Sequence, residues 1–131
     1  VRTTQVIYLA SPYSHPDPKV RERRYWDACA FTAKRMREGA IIYSPIASSH
    51  VLSTVYGLPT HFAFWERFDK AIIDRCAGLE VLMLDGWEDS VGVAAEIKYA
   101  AKLGLPITYK RPYVIHTPRE GAEQNLASSV V

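Results

Sequence analysis

No run of apolar residues in this chain approaches the length that spans a bilayer, so neither a membrane helix nor a membrane partner is expected. The start of the sequence lacks the basic opening and long apolar core of a secretion signal, and a cytoplasmic location is expected. Cysteine is scarce: Cys29 and Cys76 are the only two, with no CxxC spacing and no metal-ligating pair nearby. Both sit in periodic apolar contexts and read as buried free thiols in a reducing compartment. Charge of one sign is not concentrated either, since 16 Lys and Arg are interspersed with 14 Asp and Glu for a formal net charge of +2. Binding a phosphate backbone needs a concentrated basic face, so nucleic acid is not expected as a partner.

Several chemical signatures are missing as well. There is no GxGxxG after the first strand-like run, no phosphate-binding loop with its lysine, no HExxH and no GxSxG elbow. Dinucleotide redox chemistry, nucleoside triphosphate hydrolysis and serine hydrolysis thereby lose their usual sequence marks, and no cofactor is expected. A metal site built from His50, His61 and Asp69 has no compact ligand spacing, so no metal is expected. His15 and His116 read as loop and surface residues.

What is present fits one domain. The chain has 131 residues, 48% of them hydrophobic, enough for a single core over residues 1–116, followed by a polar, non-periodic tail at 117–131. Residues 5–10 are β-rich and apolar, and the Pro-rich loop at 11–18 stops them. Asp17 and Pro18 form a cap and first-turn pair for a helix that closes at Gly39, and its arginines alternate with acids as on a solvated face. A second strand at 40–43 ends at Ser44-Pro45, and a loop carrying Ser48, Ser49 and His50 is predicted to follow. Helical spacing returns from Thr60 to about Ala77, with His61, Trp65, Phe68 and Ile72 on one stripe that is either core or a subunit contact. Residues 79–84 predict a third strand, 90–103 a helix, 104–109 a turn into a fourth strand, and 113–115 a last edge strand.

Strands alternating with helices predict an α/β fold with a parallel sheet covered on both faces. Right-handed crossovers then bring the loops at 11–15, 44–50 and 85–90 to one edge, where ligands of open α/β sheets bind. At that edge Ser90 would cap a helix, and its hydroxyl and the first free N–H groups, including that of Gly92, would welcome an anion. Further along, Lys98 and Lys102 mark a solvent stripe, while Glu96 lies about 200° away around the helix axis and so faces the sheet. A carboxylate there needs a partner or a job. Beside an anion-binding helix start it is suited to attack an anomeric carbon through a covalent sugar ester, the anion being a sugar phosphate. Asp85, at the end of the third strand, is the candidate acid for leaving-group departure. The alternative is a binding module, in which Glu96 accepts a ribose hydroxyl, Tyr8 is an aromatic wall, and nothing is turned over.

Ile7-Tyr8-Leu9-Ala10-Ser11-Pro12-Tyr13, Asp69, and Asp85-Gly86-Trp87 followed by Ser90-Val91-Gly92 and Glu96 give the chain a resemblance to the nucleoside 2-deoxyribosyltransferase superfamily, in particular to its small phage and bacterial branch. The resemblance runs from about residue 5 to 109. It implies a flavodoxin-like, Rossmann-like three-layer fold with four or five parallel strands, and homo-oligomers whose neighbouring subunit can complete the pocket. It also implies roles: Glu96 as nucleophile, Tyr8 as the hydrogen-bond donor that holds it, and Asp69 as an acid contacting the nucleoside. Ser90 stands where relatives acting on free nucleosides commonly carry aspartate, and serine there suits a nucleoside monophosphate. Ser11 and Tyr13 in the first loop, with His50 and Trp87, complete the expected binding residues. The implied activity is that of a nucleoside or nucleoside 5′-monophosphate N-glycosidase or deoxyribosyltransferase.

Overall fold

The computed structural model of the chain describes residues 5–113. Its elements are β1 (Val6–Ala10), α1 (Pro18–Arg37), β2 (Ile41–Tyr43), α2 (Pro45–Thr54), α3 (Phe62–Ile73), β3 (Gly78–Leu82), α4 (Val91–Lys102) and β4 (Ile107–Lys110), with a 3-10 turn at Trp87–Asp89. The expected strand at 113–115 and the tail from 117, with His116, lie outside the described residues, apart from Tyr113.

The four strands are all parallel, in the order β2-β1-β3-β4. The chain leaves β1 for β2 on one side, then returns across the sheet to β3 on the other. That reversal opens a cleft between the carboxyl ends of β1 and β3, as in other flavodoxin-like three-layer folds.

Alternation along the strands divides the core in two. Tyr8, Ala10, Leu79 and Val81 point to the α3–α4 side, where they meet Ile73, Cys76, Val93 and Ala100. Leu9, Ile42, Leu82 and Leu84 point to the α1 side and pack with Phe31. Cys29 and Cys76 are free thiols, the first half-buried and the second buried. No helix among the described residues is long and apolar enough to cross a membrane.

Local chemistry sets the helix starts. Asp17 Oδ1 accepts from Lys19 N at 2.9 Å with Pro18 in the first turn of α1, and Ser90 Oγ accepts from Val93 N at 3.2 Å at the start of α4. The predicted loop at 44–50 is instead the first part of α2. Ser44 Oγ accepts from Ala47 N at 3.2 Å and Pro45 occupies the first turn, so Ser-Pro here begins a helix as well as ending a strand.

The arginines of α1 do not all form the solvated face that charge alternation predicts. Arg35 reaches the buried Glu80 of β3 through two bonds, Nε at 3.0 Å and Nη2 at 2.7 Å. Arg24 bridges two loops, donating from Nη1 to Ser14 O at 3.0 Å and from Nη2 to Asp85 O at 3.1 Å.

Candidate active site

The carboxyl ends of β1 and β3 open onto a cavity of about 410 Å³. Glu96 and Asp69 lie in its lining, Pro45 and Ile46 of α2 form one side, Phe62 and Trp65 of α3 another, and Asp89, Ser90 and Gly92 the start of α4. Ser11, Tyr13 and His61 also line it.

Glu96 is only 6% exposed, on the stripe of α4 that also buries Val93 and Ala100. Helical phase puts it there, because the lysines of the same helix take the opposite side. Tyr8, fully buried in β1, donates its hydroxyl to Glu96 Oε2. Asp69, on the buried side of α3, is close enough to form hydrogen bonds with both. No cation is paired with this group among the described residues. Burial, followed by the charge of Asp69, raises the Glu96 carboxyl well above the ordinary range, and the Tyr8 bond opposes the rise only in part. Burial pushes Asp69 up to about 6. Two carboxyls this close and this dry keep a proton between them, since ionising both would set two negative charges against each other. Burial, then the charge of Glu96, raises the Tyr8 phenol as well, which keeps it a hydrogen-bond donor.

The start of α4 is tightly built. Ser90 spends its acceptor on the helix cap but keeps a hydroxyl proton to donate, while first-turn N–H groups have no carbonyl partner inside the helix. Gly92 lets α4 approach Phe62 closely: a Cβ there would lie 3.1 Å from Phe62 Cδ1, tighter than ordinary contact. Ser11, 6% exposed, lines the cavity with a buried Oγ that has no hydrogen-bond partner.

Three expected residues are placed elsewhere. His50 is buried behind Tyr13, bonding its hydroxyl through Nδ1 at 2.7 Å and Glu22 through Nε2 at 2.9 Å, so it supports the lining from behind. Trp87 is half-buried against the core and packs on Tyr109 at 5.7 Å, outside the lining. Asp85 is exposed and also outside it; its side chain acts on Asp27 and Arg24 of α1, on the other side of the sheet from Glu96. Gly86, at φ +86°, turns the chain at this point, and Arg24 packs so closely that a Cβ on Gly86 would lie 2.7 Å from Nη2. The candidate acid is therefore not Asp85, and the carboxyl that meets Glu96 is Asp69. Among the described residues no three His, Cys, Asp or Glu side chains converge as a metal ion requires; His50, His61 and Asp69 are not brought together.

Sequence reasoning missed Asp89, which lines the cavity beside Ser90, and the wall made by Phe62 and Trp65. Asp89 could have been found, because an acid just before a capping serine projects near a helix start. Arg24 could not, since its acceptors are three backbone carbonyls, those of Tyr13, Ser14 and Asp85.

Compared with known protein families, residues 5–111 match the model of a family described as a domain of unknown function, DUF1937. A search of curated proteins found no match.

Proposed function

For this chain, which thereby belongs to the DUF1937 family, we propose the activity of a nucleoside N-glycosidase or deoxyribosyltransferase that works through Glu96 and a covalent sugar ester. The observation that carries this reading is a glutamate 6% exposed in the lining of a cavity, held by a tyrosine hydroxyl and a second carboxyl rather than by a cation. A carboxyl kept for structure is better served by a guanidinium or ammonium partner.

In the first step a Glu96 oxygen bonds to C1′ of the sugar, and the C1′–N bond breaks with its electron pair going to the base. The proton held by the carboxyl pair passes from Asp69 to the departing nitrogen, leaving Glu96 free to act as nucleophile. In the second step water or another base attacks C1′ and releases Glu96, and the proton shed by that acceptor returns to Asp69. Tyr8 keeps the attacking carboxylate in line through both steps.

A free nucleoside suits the cavity better than a monophosphate. Asp89 stands beside Ser90 in the lining, and no lysine or arginine among the described residues lines the cavity. A phosphate at the helix start would meet a carboxylate without a compensating cation. This shifts the substrate class away from the one that serine at position 90 suggests by resemblance. A homo-oligomer also fits this reading: Val55 and Tyr56, after α2, are 67% and 73% exposed and offer apolar surface.

The binding-module alternative draws on the raised Glu96 pKa, since a protonated carboxyl can donate to a ribose hydroxyl. Incubation with a panel of nucleosides and monophosphates, followed by chromatography, separates the two. Free base released by the wild type and lost in Glu96→Gln supports catalysis. Saturable thermal stabilisation by unchanged nucleosides, with no base released, supports binding alone.

A further inference from the structure

The charges around the cavity point past the choice between nucleoside and nucleotide. Among the described residues three acids line it, Asp69, Asp89 and Glu96, and no lysine or arginine does. Two guanidinium groups stand behind the first loop, outside the lining: Arg21 bonds His15 O through Nη1, acts on the Tyr13 hydroxyl and has a buried Nε without a hydrogen-bond partner, while Arg24 bonds the carbonyls of Tyr13, Ser14 and Asp85. Even with one proton held between Asp69 and Glu96, the site is left with two negative charges. Three aromatic side chains share the lining with them, Tyr13, Phe62 and Trp65, together with the imidazole of His61. Trp65 spends its only donor on Pro59 O at 2.8 Å, so what it offers a ligand is its ring. Carboxylates together with aromatic rings form a receptor for a flat cation, drawn by charge and by the ring quadrupole alike.

We infer that the site prefers nucleosides whose base carries a positive charge, as N-alkylated purine and pyridinium nucleosides do. The inference rests on the N-glycosidase reading and names its substrate class. It also eases the chemistry. A neutral base leaves as an anion unless a proton reaches it, so the carboxyl pair must supply one. A cationic base leaves as a neutral molecule: Glu96 bonds to C1′, the C1′–N bond breaks, and its electron pair cancels the charge on the ring. No proton is needed for departure. The cation next to the carboxyls also favours their ionised form, so the proton of the pair passes to solvent as the substrate binds, and Glu96 is free to attack. Water then attacks C1′, the bond to Glu96 breaks, and the proton from water goes to a carboxyl of the pair.

The test uses pairs of ligands that differ in charge and little in shape. These are 7-methylguanosine against guanosine, the same pair as 2′-deoxynucleosides, and nicotinamide riboside against its uncharged dihydro form. Dissociation constants are measured by calorimetry on the full chain, and base release is followed separately by chromatography. The cationic member of a pair is expected to bind about tenfold more tightly or better. Asp89→Asn, at an exposed position and checked by thermal melting to keep the wild-type fold, is expected to cut that preference to roughly a third, because one of the charges is gone. Equal binding within every pair, tighter binding of the neutral members, or no binding at all overturns the inference. Base release without charge preference overturns it too and leaves the N-glycosidase reading standing. A charge preference without any base release supports the charge selectivity and overturns the catalytic reading.

Discussion

Two glutamates are buried on opposite faces of the same sheet, Glu80 at 3% exposure towards α1 and Glu96 at 6% towards α3 and α4, and they keep opposite company. Glu80 has a guanidinium fork: Arg35 Nε and Nη2 each meet one of its oxygens, and Glu38 holds a third nitrogen of the same arginine at 2.9 Å. Those carboxylates raise the Arg35 pKa, while hydrogen bonds from Lys34 and Arg35 lower Glu38 to about 2. Charge on that face is matched and fixed. Glu96 has a phenol and another carboxyl, and its proton is loosely assigned. The same residue type at similar depth is a fastener on one face and, under the proposed function, a reactive group on the other, and the identity of the partner separates them. Burial alone therefore does not single out a candidate functional acid; burial without a cation does.

The widest gap between the two faces should come from Glu96→Gln. Base release is expected to fall by at least about a thousandfold. Melting temperature is expected to rise, because the amide can accept from Tyr8 and donate to Asp69 without a charge to bury. A drop in melting temperature would make Glu96 a fastener like Glu80.

Arg35→Met reverses the experiment. Leaving Glu80 buried without its fork is expected to cost about 3 kcal/mol in denaturant unfolding, with base release per folded molecule unchanged. Loss of activity in the folded fraction would mean that the α1 face takes part in the chemistry after all.

The third test is the dependence of stability on pH. Unfolded carboxyls titrate near about 4, whereas folded Asp69 does so at about 6 and Glu96 is raised as well. Between those values the folded protein binds more protons than the unfolded chain, so its stability falls as pH rises. The expected loss between about pH 4 and 7 is roughly 2 kcal/mol, and Glu96→Gln should remove much of it. A wild-type melting curve that stays flat or climbs across that range would show that the carboxyls do not share a proton.

The smallest effect concerns the helix caps. Ser90→Ala and Asp17→Ala should each cost about 1 kcal/mol. Only the first should also lower base release, since it loosens the helix start at the cavity, and equal kinetic effects would erase the distinction between the faces.

Much of this was legible in the chain. Strand and helix alternation, the caps at Asp17 and Ser90, and the phase of Glu96 against Lys98 and Lys102 are local patterns, and local patterns are what a sequence displays. The helix at α2 was written there too, in a capping serine before a proline, but the same pair also ends strands. The direction of Asp85 was not legible. It depends on Arg24, 61 residues away, taking hold of its carbonyl at the turn made by Gly86. The pairing of Asp69 with Glu96 needed α3 and α4 to pack together, which no spacing announces; resemblance implied Asp69 as a substrate contact but not as a partner of the Glu96 carboxyl.

The bond between Tyr8 and Glu96 joins residues 88 positions apart. During synthesis the first strand therefore leaves the ribosome long before the helix that carries its partner. Until that helix docks, the phenol lacks its acceptor, the acid is hydrated and ordinary, and the cavity lacks one of its sides. Partly made or partly unfolded chains should thus be chemically silent, and turnover, once observed, doubles as a report that the beginning and the far end of the domain have met.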